Sequence, residues 1–288
     1  MTAAPGAVLV SDELTGRLVY VARDRDRRPQ PAEAECPFCP GGAEALADAG
    51  PYAFPNRWPP VEQGRSEVIV YGPEHHRDLG ALTAVEIGPV IDLWADRSEM
   101  QWRYAGTRCV LVFENRGEEA GATVPHPHSQ LFGLPFLPPL CPAGAAAGCP
   151  ACAEPDPSLL VESIGGWAVT VPAAPPAPYT LRLVPRRHVA TAAELDRAER
   201  HALAEALGRA VRRLDGLFSR PMPYQMWMPQ VRAGHLTVTI CGLLRGPDRL
   251  RILGAAEVAT GIYFSPLTPH RAAATLRQVD GVTEHDRG

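Results

Sequence analysis

A repeated pattern of cysteines and histidines constrains the fold of this chain more than any other feature of its sequence. Each half contains a Cys-x-x-Cys pair and, 36 residues after its second cysteine, a histidine: Cys36, Cys39 and His75, then Cys149, Cys152 and His188. In both halves an apolar, strand-like run ends in that histidine, a helical pattern follows, and a further strand-like run lies next to another histidine. A repeat displaced by about 110 residues predicts two similar α+β modules with antiparallel sheet.

The two modules are predicted to span residues 1–140 and 141–288. A linker zone rich in Pro, Ala and Gly, from Pro135 to Gly148, supports a boundary there. Two capping-box patterns, Thr83 to Glu86 and Thr191 to Glu194, predict where the main helix of each module begins.

The repeated residues have the chemistry of tetrahedral zinc sites, which commonly use two cysteines and two histidines. The predicted ligand sets are Cys36, Cys39, His75 and His126, then Cys149, Cys152, His188 and His235. Two buried thiol pairs with unrelated histidines are the alternative, but matched spacing in both halves favours metal. With four protein ligands each, both zinc ions are predicted to be structural. The other three cysteines show no partner pattern, and Cys109 and Cys241 lie in apolar runs typical of a core.

Composition excludes several classes of protein. All 28 basic residues are arginine, so chemistry that needs a lysine amine, such as a Schiff base or a Walker-type phosphate loop, is excluded. A net charge of -4 argues against a general binder of nucleic acid or anionic membranes. The sequence shows no signal-peptide pattern and no run of apolar residues long enough for a membrane span, which predicts a cytoplasmic protein.

The segment from Asn115 to Gln130 is the most specific in the chain, because it ends in His126-Pro-His128-Ser-Gln130. Histidines at i and i+2 of an extended strand point to one face, so His126 can hold a metal while His128 meets a substrate. Neutral imidazole is a competent nucleophile towards phosphorus, and Gln130 can donate to a phosphoryl oxygen. A pair of core histidines would not explain the Gly- and Asn-rich loop that precedes them.

At these residues the chain resembles the galactose-1-phosphate uridylyltransferase family, a branch of the histidine-triad superfamily. The resemblance covers nearly the whole length. Its matching segments are the strand and arginine loop from Asp12 to Pro29, Phe54-Pro-Asn56, Gly72-Pro-Glu-His75, Phe113-Glu-Asn115 through Gln130, and Arg251 to Glu257. The resemblance implies two tandem histidine-triad-like modules, each an antiparallel sheet with packed helices, assembled as a homodimer.

The resemblance also implies a role for each matching residue. His128 is the nucleophile that takes a nucleoside monophosphate from a nucleotide sugar, and Gln130 assists it. Asn56 matches the nucleoside pocket and Glu257 a contact to sugar hydroxyls. Four residues match positions that contact phosphate or nucleotide in the family: Arg25, Arg28, Asn115 and Thr123. Arginine clamps suit a diphosphate, although a solvated charge cluster is the alternative reading of the arginine loop.

The second module departs from the best-known uridylyltransferases, whose second metal site uses a Glu and three His. Thr237 and Thr239 stand on the corresponding strand, and the Cys/His set resembles the two-zinc arrangement of ADP-glucose phosphorylase-like proteins.

The leading hypothesis is a ping-pong uridylyl transfer between hexose 1-phosphates. The alternatives are transfer of an adenylyl group to phosphate or sulfate, a nucleotide-processing enzyme of a specialised pathway, and a non-catalytic nucleotide-binding module. Intact His128 and Gln130 speak against the last.

Overall fold

The computed structural model describes residues 7–22, 36–46, 50–141 and 148–281, which form thirteen strands and four α-helices. The strands are β1 (Val8–Ser11), β2 (Leu18–Val21), β3 (Tyr52–Pro55), β4 (Ser66–Val70), β5 (Cys109–Arg116), β6 (His128–Leu134), β7 (Leu160–Ile164), β8 (Trp167–Thr170), β9 (Tyr179–Pro185), β10 (Tyr224–Gln230), β11 (Val238–Gly242), β12 (Leu244–Gly246) and β13 (Arg249–Leu250). The helices are α1 (Ala84–Trp102), α2 (Arg197–Asp215), α3 (Ala255–Thr260) and α4 (Pro269–Gln278).

Strands from both halves of the chain join into one antiparallel sheet of nine strands, in the order β3-β4-β6-β5-β10-β11-β9-β8-β7. The first half supplies β3 to β6 and the second half supplies β7 to β11. They meet where β5 pairs with β10, from Tyr224 opposite Arg116 to Gln230 opposite Val110. The predicted α+β class with two tandem modules is confirmed, and the structure adds that the modules share a continuous sheet. The boundary between residues 140 and 141 stays a prediction.

Each half places its main helix between equivalent strands, α1 between β4 and β5 and α2 between β9 and β10. The predicted capping box at Thr83 and Glu86 starts α1, and both of its hydrogen bonds are formed. The predicted box at Thr191 and Glu194 is wrong as the start of α2, because those residues form a short 3₁₀ turn. A complete box at Asp196 and Glu199 satisfies the first amides of the helix instead, and α2 begins at Arg197.

The sheet has a covered face and an open face. Helices α1 and α2 pack against one face, where the main core includes Trp94 of α1, Val112 of β5 and Leu131 of β6. Because side chains alternate along a strand, the residues between these point to the other face. Gln130 lies there beside Phe113, its register partner on β5. Strand β6 therefore presents His128 and Gln130 on the side away from the helices.

Shorter elements lie outside the large sheet. Strands β1 and β2 form a hairpin, and β12 and β13 form another that leads into α3. The Pro-rich segment from Pro172 to Pro178 is a loop, since β8 ends at Thr170 and β9 begins at Tyr179. No helix within the described ranges is long and apolar enough to cross a membrane.

Candidate active site and metal centres

The first predicted ligand set comes together at one end of the sheet. One donor atom from each of Cys36, Cys39, His75 and His126 lies within 4.8 Å of the others. The Cys39 sulfur is 3.2 Å from His75 Nδ1 and 3.5 Å from His126 Nδ1, and the Cys36 sulfur is 3.6 Å from His126 Nδ1. Ligand atoms of a tetrahedral zinc ion are about 3.3–3.8 Å apart, so the spacing and the S₂N₂ donor set fit zinc.

The second set repeats this geometry in the other half. Cys149, Cys152, His188 and His235 also have donor atoms within 4.8 Å of one another. Cys152 is 3.2 Å from His188 Nδ1, and both sulfurs are 3.5 Å from His235 Nδ1. The eight predicted ligands are therefore placed in two clusters that are able to hold metal, and the Cys152 side of the second cluster is exposed.

Each cluster contains a buried histidine that is oriented by a backbone carbonyl. His126 Nε2 donates to the Gly72 oxygen at 2.7 Å, and His235 Nε2 donates to the Pro185 oxygen at 2.9 Å. Both bonds fix the ring so that Nδ1 faces the thiols, as is common for metal-ligating histidines. Burial lowers the pKa of both His126 and His235, which favours the neutral imidazole that a metal requires.

His128 stands at the first position of β6, directly beyond the first metal cluster. The strand begins at His128, so His126 lies just before it rather than within it as predicted. His128 Nδ1 donates to the His126 carbonyl oxygen at 2.8 Å. This bond places the ring proton on Nδ1 and leaves the lone pair on Nε2. The Phe38 ring contacts the His128 ring edge-to-face, with centroids 5.2 Å apart, and restricts its rotation.

A cavity of about 240 Å³ lies beside His128. Its walls contain the predicted site residues Asn115, Thr123, His126 and His128, together with a group of charged side chains that the sequence analysis did not single out: Asp78, Glu114, Arg116 and Glu118. The structure thus brings the predicted nucleophile together with two of the predicted phosphate or nucleotide contacts.

The other predicted site residues lie elsewhere. Gln130 is the next outward-facing residue of β6, and its register partners are Val68 on β4 and Phe113 on β5. Asn56 follows β3, where its side-chain oxygen accepts the Trp58 N–H at 2.8 Å. Neither residue lines the cavity. Arg25 and Arg28 lie outside the described residues.

Glu257 also lies outside the cavity lining, near the start of α3. Its carboxylate pairs with Arg251 and accepts the backbone N–H groups of Gly254 and Phe264, both at 2.9 Å. The hydrogen bond from Arg251, helped by the two backbone donors, lowers the pKa of Glu257 to about 2. These contacts connect Glu257 to its own segment and keep it ionised.

Among the cavity residues that sequence reasoning missed, Glu114 is the most deeply buried acid. Its side chain is 3% exposed, and its carboxylate accepts the Tyr71 hydroxyl at 2.5 Å and the Tyr224 hydroxyl at 2.7 Å. Burial raises the pKa of Glu114 to about 7, although both tyrosine hydroxyls act in the opposite direction. The available signal was an acidic residue on β5 at a position where strand alternation calls for an apolar side chain.

Arg116 lies two residues further along β5 and also lines the cavity. Its guanidinium donates to Asp215 at 2.7 Å and pairs with Asp78 at 2.6 Å. The Tyr224 ring packs under it, with the guanidinium carbon 5.5 Å from the ring centroid. This arginine is therefore committed to two carboxylates and an aromatic face within the protein.

Comparison with known proteins agrees with this geometry. A family model described as galactose-1-phosphate uridyl transferase, N-terminal domain, matches residues 59–138. The galactose-1-phosphate uridylyltransferase of Thermotoga maritima is 28% identical over 308 residues, covering 93% of this chain and 96% of the relative.

Two solved structures extend the comparison. One described as a structure of uridylyltransferase superposes with a TM-score of 0.83 at 27% identity, covering 94% of this chain and 97% of the other. An ADP-glucose phosphorylase from Arabidopsis thaliana with bound ADP-glucose gives a TM-score of 0.74 at 21% identity, covering 96% and 100%. The second match concerns the fold alone.

The fold and the site together define a protein of two tandem modules, with two Cys/His clusters and a cavity beside a His-Pro-His motif, whose fold is similar to that of the solved uridylyltransferase. Along nearly its whole length, this chain is similar to the galactose-1-phosphate uridylyltransferases in particular. The resemblance predicted from the sequence is confirmed.

Proposed function

We propose that this chain is a nucleotidyltransferase that moves a nucleoside monophosphate between a nucleotide sugar and a hexose 1-phosphate, with uridylyl as the first candidate group. The observation that carries the proposal is the geometry of His128, whose Nδ1 donates to the His126 carbonyl beside the cavity. That bond makes Nε2 the nucleophilic nitrogen. Similarity to relatives named galactose-1-phosphate uridylyltransferase supports the substrate class.

The reaction follows in two balanced steps. In the first, His128 Nε2 attacks the α-phosphorus of the nucleotide sugar, an N–P bond forms, and the P–O bond to the hexose 1-phosphate breaks. The hexose 1-phosphate leaves with the electron pair. In the second, an oxygen of another hexose 1-phosphate attacks the same phosphorus, and the N–P electron pair returns to Nε2. A phosphoimidazole is a good leaving group, which makes both steps feasible at one site.

Residues around His128 are assigned supporting roles in this proposal. Asn115 and Thr123 line the cavity and offer an amide and a hydroxyl to phosphate oxygens, while Gln130 donates as charge builds on the phosphoryl group. Arg25 and Arg28 remain proposed diphosphate contacts, Asn56 a proposed nucleoside contact and Glu257 a proposed sugar contact.

Adenylyl transfer to phosphate or sulfate is the second candidate. The observation that favours it is the complete Cys/His cluster of the second module, because the sequence resemblance associates that cluster with ADP-glucose phosphorylase-like proteins. The same nucleophile and cavity would serve either base, so the two candidates differ in donor and acceptor but not in mechanism.

The test is intact-mass measurement after incubation with UDP-glucose and, separately, with ADP-glucose. We expect a uridylyl adduct on His128 from UDP-glucose, and an adenylyl adduct instead would select the second candidate. His128→Asn should give no adduct and no turnover while it still binds nucleotide, because the contacts to phosphate remain. His201→Asn, on the exposed side of α2, is the matched control. Nucleotide binding without any adduct would identify a non-catalytic binding module.

The proposal includes two zinc ions, one in each Cys/His cluster, which lock the strand ends and take no part in bond making. The S₂N₂ spacing of both clusters supports this identity. A homodimer and a cytoplasmic location complete the proposal.

A further inference from the structure

Glu114 occupies a position where an ionisable side chain is unexpected. On β5 it alternates with Phe113 and Asn115, so it points to the face that α1 and α2 cover, as Val112 does. Taking a carboxyl group out of water is unfavourable by several kcal/mol unless hydrogen bonds compensate. A buried acid beside a reactive cavity therefore needs an explanation beyond packing.

Two buried tyrosines supply the compensation, and they come from different halves of the chain. Tyr71 directly follows β4 and donates to one carboxylate oxygen of Glu114, while Tyr224 opens β10 and donates to the other. Tyr71 and Tyr224 are 5% and 0% exposed, so both hydroxyls depend on Glu114 for an acceptor. The carboxylate thereby fixes the positions of both rings.

The Tyr71 segment also contacts the His-Pro-His motif. The Tyr71 backbone N–H donates to the Pro127 carbonyl at 3.2 Å, and the next residue, Gly72, accepts His126 Nε2 at 2.7 Å. Pro127 lies between the metal ligand His126 and the nucleophile His128. Two hydrogen bonds therefore connect the backbone at residues 71–72 to the His-Pro-His motif, one to Pro127 and one to His126.

A second contact leads from Tyr71 to the residue after the nucleophile. The Tyr71 hydroxyl interacts with the Ser129 hydroxyl, and Ser129 accepts the indole N–H of Trp94 on α1 at 2.8 Å. Trp94 and Ser129 are both fully buried. Tyr71 thus touches the strand on both sides of His128, through Pro127 and through Ser129.

We propose that Glu114 is a positioning residue for His128, and that Tyr71 transmits its effect to the His-Pro-His motif. This inference rests on the proposed function, in which His128 Nε2 attacks phosphorus. Glu114 itself touches no reacting atom. It keeps the Tyr71 hydroxyl in contact with Ser129 and the Tyr71 backbone in place against Pro127, and so keeps Nε2 aimed into the cavity.

The two tyrosines allow a matched test. Tyr71→Phe and Tyr224→Phe each remove one buried hydroxyl that donates to Glu114, but only the Tyr71 hydroxyl also contacts Ser129, the residue after His128. Tyr71→Phe should lower kcat by about tenfold to a hundredfold with KM nearly unchanged, because small misplacement of a reacting group slows the chemical step. Tyr224→Phe should destabilise the protein comparably and lower kcat by less than about threefold.

Glu114→Met tests the acid itself. Methionine fills a similar volume but accepts neither tyrosine hydroxyl, so this variant should lose stability, and its kcat is compared with that of Tyr224→Phe, which loses stability too. We expect a folded, metal-loaded protein whose kcat falls as far as that of Tyr71→Phe. If Glu114→Met keeps wild-type kcat, or if both tyrosine variants change kcat equally, the positioning role is wrong.

A readout that does not depend on turnover distinguishes this inference from the proposed function. Imidazole ¹H–¹⁵N NMR of the zinc-loaded protein reports exchange of the His128 Nδ1 proton, which the bond to the His126 carbonyl protects. Tyr71→Phe should speed that exchange and Tyr224→Phe should not. If the wild-type protein forms no nucleotidyl adduct, the proposed function fails, and the exchange rates still decide the positioning role.

Discussion

Replacing Glu114 by Gln should change how the stability of this protein depends on pH. Burial raises the pKa of Glu114 to about 7 in the folded protein, from 4.5 for an ordinary glutamate. The folded state therefore holds a proton that the unfolded state has lost between these two values. The contribution of Glu114 to the free energy of unfolding is therefore fully present below about pH 4.5. It decreases as the pH rises and is lost above about pH 7.

The expected size follows from the two pKa values. Between pH 5.5 and pH 8, the linkage relation gives a loss of about 2 kcal/mol from Glu114 in the wild-type protein. Glutamine has no proton to lose and its carbonyl still accepts a tyrosine hydroxyl, so Glu114→Gln should lack this part of the slope. Asp78, Arg116, Tyr71 and Tyr224, which surround the carboxyl group, are present in both proteins.

Urea denaturation of the metal-loaded proteins, followed by tryptophan fluorescence at several pH values in this range, provides the assay. The comparison uses the difference in slope between wild type and Glu114→Gln, so any constant offset from the substitution cancels. Metal content measured at each pH ensures that zinc loss does not contribute. Parallel stability curves for the two proteins would show that Glu114 is already ionised at pH 5.5, and the argument from burial would be refuted.

Three further predictions concern the metals and the transition state. Elemental analysis should find two zinc ions per chain, and fewer than one ion with freely titratable thiols would contradict both sites. Cys149→Ser should lower the melting temperature and the zinc content, but its folded fraction should keep near-normal kcat. Cys36→Ser should lower the melting temperature, the zinc content and kcat. If Cys149→Ser instead loses kcat without losing stability, the second metal has a chemical role. Gln130→Ala should lower kcat by about 10²-fold to 10³-fold if Gln130 donates to the phosphoryl group, and a change confined to KM would argue against that role.

The two Cys/His clusters and the position of the proposed nucleophile could be predicted because short, fixed spacings of particular residue types indicate them. The ligands can be identified by residue type and spacing: a Cys-x-x-Cys pair, a histidine at a fixed distance and a His-Pro-His run. Tetrahedral coordination then requires that these ligands surround a single ion. The structure brings all eight predicted ligands together in two clusters. Strand alternation likewise predicted that His128 and Gln130 share a face.

The hydrogen bonds of Glu114 and the pairing of β5 with β10 could not be predicted from the sequence, because they depend on residues that are far apart along the chain. Tyr71 and Tyr224 are 43 and 110 residues from Glu114, and no local motif connects a carboxylate to tyrosines at such separations. The same applies to Cys109 and Cys141, whose sulfurs lie 3.8 Å apart although the sequence gives them no common pattern. Local signals can also compete, as the two successive capping boxes before α2 show.

The two halves of the sheet show how one backbone arrangement can support chemistry in one place and stability in another. In both halves a buried histidine faces two thiols and donates its other nitrogen to a backbone carbonyl, Gly72 for His126 and Pro185 for His235. Two residues further along stands His128 in the first half and Thr237 in the second. Because the Cys/His cluster is repeated and the proposed nucleophile is not, the cluster is a property of the module. The first half adds to this arrangement the cavity beside His128 and the hydrogen bond from Tyr71 to Glu114, and the hydrogen bond from Tyr224 to Glu114 joins the two halves where β5 meets β10.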